Sequence, residues 1–126
     1  MYVELNVSEL IGKTMASVEQ IGSDELRFTT TDGESYRLYH SQDCCEGVDI
    51  ESIAGDLSDL VGSPILLAEE STSDTNPEGI TPPEYQDSFT WTFYKFATIK
   101  GYVDVRWYGE SNGYYSESVD FEKVAA

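Results

Sequence analysis

Between residues 14 and 40, apolar and polar side chains alternate with a period of two, broken by turn residues. TMASVEQI (14–21) and ELRFTTT (25–31) each read as a strand, the second with Leu26 and Phe28 on one face. Thr31-Asp32-Gly33-Glu34 then forms a hairpin turn, because Asp-Gly tolerates the positive φ of a tight reversal. The return run ESYRLYH places Tyr36, Leu38 and His40 on one face and Ser35, Arg37 and Tyr39 on the other. His40 therefore falls at a strand end, on the apolar side.

Elsewhere the period changes. NVSELIG (6–12) reads as one short helical turn, capped by Asn6 or Ser8, with Leu10 and Ile11 apolar and Gly12 at its stop. In VDIESIAGDLSDLVGS (48–63), Ile50, Ile53, Leu57, Leu60 and Val61 follow helical spacing, which predicts one or two short helices ended by Gly62 and Ser63-Pro64. PILLAEES (64–71) reads as a buried strand running out into acid at Glu69 and Glu70. Residues 71–87 hold three of the four prolines and little apolar content, so a long, mobile, acidic loop is expected there.

The last third reads as a β meander. SFTWTFYKFATI is rich in aromatic and β-branched residues, and a Lys100-Gly101 turn leads into YVDVRWYG. There Val103, Val105 and Trp107 share a face opposite Asp104 and Arg106. Ser111-Asn112-Gly113 is expected to close a second hairpin, with YYSESVDF returning and Val119 and Phe121 on one face. The expected fold class is α+β, mostly antiparallel β. It has six or seven strands in a strongly bent sheet or partial barrel and one or two short helices, in a single domain over residues 1–126.

Charge narrows the function. Asp and Glu number 24 against 7 Lys and Arg, a formal net charge of −17. Such a surface repels nucleic acid and anionic membrane, so direct nucleic-acid binding through a broad basic face is set aside. What survives is a decoy presenting nucleic-acid-like charge to a basic partner, a cation binder, or a surface kept acidic for solubility. Glu69, Glu70, Asp74, Glu78, Glu84 and Asp87 are the candidate partner-binding residues. No apolar run approaches the about 18 residues of a membrane helix. The start, MYVELNVSEL, lacks the features of a secretory signal, which points to the cytoplasm. There the adjacent Cys44 and Cys45 are expected to be reduced thiols.

YHSQDCCE (39–46) crowds the only histidine, both cysteines and two carboxylates into eight positions. As a metal site, His40, Cys44 and Cys45 would be ligands with Asp43 or Glu46 as a fourth, but zinc sites favour cysteines separated by two to four residues. As a catalytic centre, a cysteine would use His40 as base, yet neighbouring acids disfavour the thiolate. The favoured expectation is a polar turn. His40, Ser41, Gln42 and Asp43 satisfy backbone donors and the cysteines pack as small buried hydrophobes, with no metal or cofactor.

A second constellation lies in WYGESNGYYSES (107–118). Tyr108, Asn112, Tyr114 and Tyr115 surround a turn, and with Arg37 and Arg106 they form the candidate ligand set for a phosphate or signalling nucleotide. Exposed aromatics on a sheet also leave a homodimer open.

ELIGKT, YHSQDCCE, DLSDLVGSPILLAEE, TWTFYKFATIKG and RWYGESNGYYSESVDF together resemble a family of small uncharacterised proteins of bacteriophages, notably those of actinobacteria, and of prophages. The resemblance runs from about residue 9 to 123, and HSQDCCE and SNGYYSE are its specific segments. It implies a phage origin in the host cytoplasm and a single autonomous domain, and it carries no activity. The leading expectation is a non-enzymatic accessory protein that binds a host protein, to inhibit a defence or an enzyme by charge mimicry. The alternatives are a nucleotide-sequestering protein and a metal- or cysteine-dependent enzyme centred on residues 40–46.

Overall fold

The computed structural model describes residues 5–80 and 88–124. Two four-stranded antiparallel sheets account for its architecture. The first contains β1 (Met15–Ile21), β2 (Glu25–Thr30), β3 (Ser35–Tyr39) and β8 (Asp120–Val124), in the order β1-β2-β3-β8. The second contains β4 (Gly47–Ala54), β5 (Leu67–Ser73), β6 (Ser88–Thr98) and β7 (Gly101–Ser111), in the order β4-β7-β6-β5. Helical structure among the described residues is confined to the 3-10 turns Val7–Leu10 and Leu57–Leu60. Among the described residues the fold is thus predominantly antiparallel β, with two four-stranded sheets and no closed barrel, where α+β, mostly antiparallel, with six or seven strands in a strongly bent sheet or partial barrel was expected.

The alternation explains the core. Leu26 and Phe28 of β2, Tyr36 and Leu38 of β3, and Phe121 of β8 face inward from the first sheet. Tyr94 and Phe96 of β6 and Val103, Val105 and Trp107 of β7 face them from the second. Phe28 meets Phe96 across the interface at 5.4 Å between ring centroids, and Tyr36 stacks on Phe121 at 5.6 Å. Burial of each such side chain stabilises the fold by roughly 1.5–3 kcal/mol. The edges also meet. Gly12 donates to the Ile65 carbonyl at 2.8 Å and Gly62 to that of Met15 at 2.9 Å, joining the start of β1 to the segment before β5.

The turn at 31–34 forms as its sequence demands, with Gly33 at φ +93. Asn6 caps the first 3-10 turn by accepting from the Ser8 amide, and Val7 and Leu10 are its buried residues, while Ile11 is exposed.

Two expected elements are corrected. Residues 47–54 form a strand and not a helix. Val48, Ile50 and Ile53 all lie opposite inward positions of β7, because the register slips between Ile50 and Ser52. The bulge at Glu51 turns a period of two into a step of three, which imitates helical spacing. The second correction concerns the C-terminal return: β8 does not pair with β7 as the expected hairpin would. It crosses to the first sheet and pairs with β3, Leu38 opposite Phe121, which seats Phe121 between Phe28 and Tyr36. The segment 71–87 also divides. Residues 71–73 complete β5, 74–80 follow it as a connection, and 81–87 lie outside the described residues.

Candidate functional site

Two connections carry the chain between the sheets. Residues 40–46 lead from β3 to β4, and residues 112–119 lead from β7 to β8. Since β3 pairs with β8 and β4 with β7, the two crossovers run side by side at one end of the molecule. They contain the two specific segments singled out above, HSQDCCE and SNGYYSE, about 70 residues apart in the chain. The structure brings them together.

The ladder ends at the pair Tyr39 and Asp120 and resumes at Gly47 and Glu110. In between, side chains replace it. His40 keeps the inward orientation of the β3 apolar face and is buried, with a side-chain exposure of 3%. Its Nδ1 donates to the Ser118 carbonyl at 2.7 Å, and its Nε2 meets Glu46 Oε2 at 2.7 Å. Glu46, whose side chain is 0% exposed, anchors its own loop. Oε2 also accepts from the Asp43 amide at 2.9 Å, while Oε1 accepts from the Cys44 amide at 2.9 Å and from Gln42 Nε2 at 3.2 Å. Gln42 also donates to the Glu46 carbonyl at 2.6 Å, and the Ser41 amide donates to Asp120 Oδ2 at 2.9 Å. Burial acts to raise the Glu46 pKa; the Cys44 amide, the His40 ring and the Asp43 amide outweigh it, and the carboxyl is lowered from 4.5 to about 2. The loop is organised around an ionised carboxylate.

On the facing crossover, Glu117 accepts from Thr90 Oγ1 at 2.8 Å and from Ser111 Oγ, which ties the loop to the β6–β7 hairpin. Asn112 Oδ1 accepts from the Tyr114 amide at 3.0 Å, with Gly113 at φ +91 making the turn. Gly109 lets the loop lie close: a Cβ there would come within 2.7 Å of the Glu117 carbonyl. Between the crossovers lies a hollow of about 440 Å³, lined by Cys45, Glu46, Gly47, Glu110, Ser111, Asn112 and Tyr115. Tyr114 projects beyond it, 83% exposed and edge-on to Tyr115 at 5.0 Å.

The cysteines correct two expectations. Cys44 and Cys45 are exposed and not packed as small hydrophobes, and they are joined to each other in a disulfide where reduced thiols were expected. His40 points into the protein with both nitrogens engaged, while Cys44 and Cys45 are exposed residues. The three therefore do not converge as metal ligands or as a nucleophile and base. Among the described residues no group of three His, Cys, Asp or Glu side chains is placed to hold a metal.

The candidate ligand set is dispersed. Arg37 lies on the outer side of the first sheet, ion-paired to Glu122 and 3.8 Å above the Tyr39 ring. Arg106 lies on the outer side of the second, paired to Glu51 at 2.6 Å and 5.3 Å from the Trp91 ring. Tyr108 lies against Trp91 at 4.7 Å and donates to Glu110 at 2.9 Å. Only Asn112 and Tyr115 of the set line the hollow between the crossovers. A larger depression of about 630 Å³ on the outer face of the second sheet is lined by Phe93, Lys95 and Arg106 among others, and by none of the rest of the set. Of the acidic set, Glu69 and Glu70 are exposed on strand β5, and Asp74 and Glu78 are exposed in the connection after it. Glu84 and Asp87 lie outside the described residues.

Sequence reasoning missed Ser118, Asp120 and Gly109 as parts of this junction. Ser118 acts through its carbonyl, and Gly109 acts through the absence of a side chain, so residue type carried no signal for either.

Comparison with known proteins bears on the same segments. A family described as a domain of unknown function, DUF7448, matches residues 8–121 and so spans both crossovers. The chain belongs to the DUF7448 family. No curated protein and no solved structure matches it. Membership therefore brings no activity with it, and the functional reading rests on this chain's own geometry. No described helix is long and apolar enough to cross a membrane.

Proposed function

We propose that this DUF7448 protein is a non-enzymatic accessory protein of phage or prophage origin that binds a basic host partner in the cytoplasm by presenting nucleic-acid-like negative charge. The observation that carries the reading is the internal use of its cations. Lys13 and Lys123 both pair with Glu34, Arg27 with Glu25, Arg37 with Glu122 and Arg106 with Glu51. Of the other two lysines, Lys100 donates to the Val61 carbonyl, and Lys95 stands between its cross-strand neighbours Glu69 and Asp104. Five of the 7 Lys and Arg are thus held by four carboxylates, and among the described residues most acidic side chains form no ion pair with Lys or Arg. A partner that supplies positive charge gains from long-range steering as well as contact.

The nucleotide-sequestering alternative would require Arg37 and Arg106, on different sheets, each to leave its carboxylate. Charge mimicry needs no such rearrangement. A partner captured from host lysate is expected to be released by about 0.5 M salt and displaced by duplex DNA, because screening at that ionic strength leaves little beyond contact. Retention at about 1 M salt, or indifference to DNA, overturns the charge mechanism.

A further inference from the structure

The Cys44–Cys45 bond has properties that a stabilising disulfide lacks. Its partners are one residue apart in sequence, so it closes no stretch of chain. The loop-closure contribution that makes cross-links stabilising grows with the number of residues enclosed and is negligible here. Both cysteines are exposed, whereas inert structural cysteines are buried. The bond also lies at a mechanically connected point of the molecule. The Cys44 amide and its neighbour, the Asp43 amide, are two of the donors to the buried Glu46 carboxylate. Glu46 meets His40, and His40 holds the Ser118 carbonyl of the opposite crossover.

We propose that Cys44–Cys45 is a thiol–disulfide exchange site with a small neutral dithiol as its reductant, and that its redox state is transmitted through Glu46 and His40 to the crossover at 112–119. A thiolate of the dithiol attacks one cysteine sulfur, the bond between the cysteines breaks, and the departing sulfur takes up a proton. The second thiol of the reductant then displaces the remaining cysteine from the mixed disulfide. Two electrons and two protons pass to the protein, and the dithiol leaves as a cyclic disulfide. Reduction uncouples the two cysteines and frees the backbone that presents the Asp43 and Cys44 amides. Preference for a neutral reductant follows from charge. Asp43 adjoins the pair, Glu110 lines the hollow beside Cys45, and the formal net charge is −17, so an anionic thiol is repelled on approach.

The test uses the native, full chain. Iodoacetamide is expected to label neither cysteine before treatment with dithiothreitol and both afterwards, as counted by mass. Backbone and imidazole NMR signals are then expected to shift at His40, at residues 41–46 and at 112–119, with the signals of Phe28 and Phe96 unmoved. The double variant C44S/C45S should resemble the reduced protein and ignore dithiothreitol. Reduction by glutathione, an anion, should be slower than by dithiothreitol at low salt, with the ratio narrowing as salt is raised. Labelling of both cysteines before any reductant overturns the site. Shifts confined to residues 43–46 overturn its transmission to the second crossover. A glutathione-to-dithiothreitol ratio that ignores salt overturns the reductant preference.

Discussion

Two of the places where the sheets meet are held by opposite means. Between their inner faces, Phe28, Phe96, Trp107 and Phe121 exclude water with contacts that are strong in sum and undemanding in direction. At the crossover end, His40 and Glu46 do the joining with directional hydrogen bonds between buried polar groups. The first tolerates exchange of one apolar side chain for another of similar volume. The second does not, because each buried donor or acceptor left without its partner carries its desolvation cost. A contact that must be complete to be favourable is also one that a local chemical change can undo. This distinguishes the junction from the core as a place for function.

Graded substitutions separate the two regions. The largest loss is expected for Phe96→Ala, about 3–5 kcal/mol by urea denaturation, through lost transfer energy and the cavity left opposite Phe28. Glu46→Gln should come next. It removes the charge and one of the two acceptor oxygens, so the Asp43, Cys44 and His40 donors compete for what remains. Its denaturation midpoint should lie between those of Phe96→Ala and the wild type, with NMR shifts reaching Ser118. If those shifts stop at residue 46, the two crossovers are not coupled.

Gly109→Ala should cost about 1–3 kcal/mol, since its methyl group forces the Glu117 backbone away from β7. Hydrogen exchange should then rise at 112–119 and leave 40–46 less affected. The smallest effect is expected for Arg106→Ala, below about 1 kcal/mol, because its ion pair with Glu51 is partly solvated and screened.

Acid separates the regions without mutation. The Glu46 carboxyl is held at about 2 in the folded protein against an ordinary value of 4.5, so the unfolded chain takes up this proton first. Its contribution is complete above 4.5 and is lost as pH falls toward 2. The stability difference between wild type and Glu46→Gln should therefore be full near neutrality and shrink across that window. Using the difference removes the effect of neutralising the remaining carboxylates, which both proteins share. A difference that stays constant down to pH 2 would show that the carboxylate is not ionised in its nest.

Much of this was legible along the chain where the interactions are local. The β2–β3 hairpin follows from alternation and one Asp-Gly pair, and His40 could be placed on the apolar face of its strand by parity alone. The β4 strand was not legible, because the bulge at Glu51 alters the very period that identifies a strand. The partner of β8 was hidden for a different reason. Val119 and Phe121 specify an inward face but not which sheet supplies the neighbour. At the junction, residue types drew attention to 40–46, yet three of the donors that hold Glu46 are backbone amides or a side chain of its own loop, which composition does not reveal. The cysteines look like packing or ligand material until their exposure is known.

By itself, then, the sequence determined a mainly antiparallel β protein, its inward-facing residues, its acidic surface and the two segments most worth attention. Those properties depend on side-chain chemistry and on a period of two, and both can be read one residue at a time. Only the tertiary structure decided that the two segments are the paired crossovers between sheets, that His40 bridges them, and that Cys44 and Cys45 face solvent as a bonded pair. Each of these depends on which strands become neighbours, and that choice is made by burying both inner faces at once.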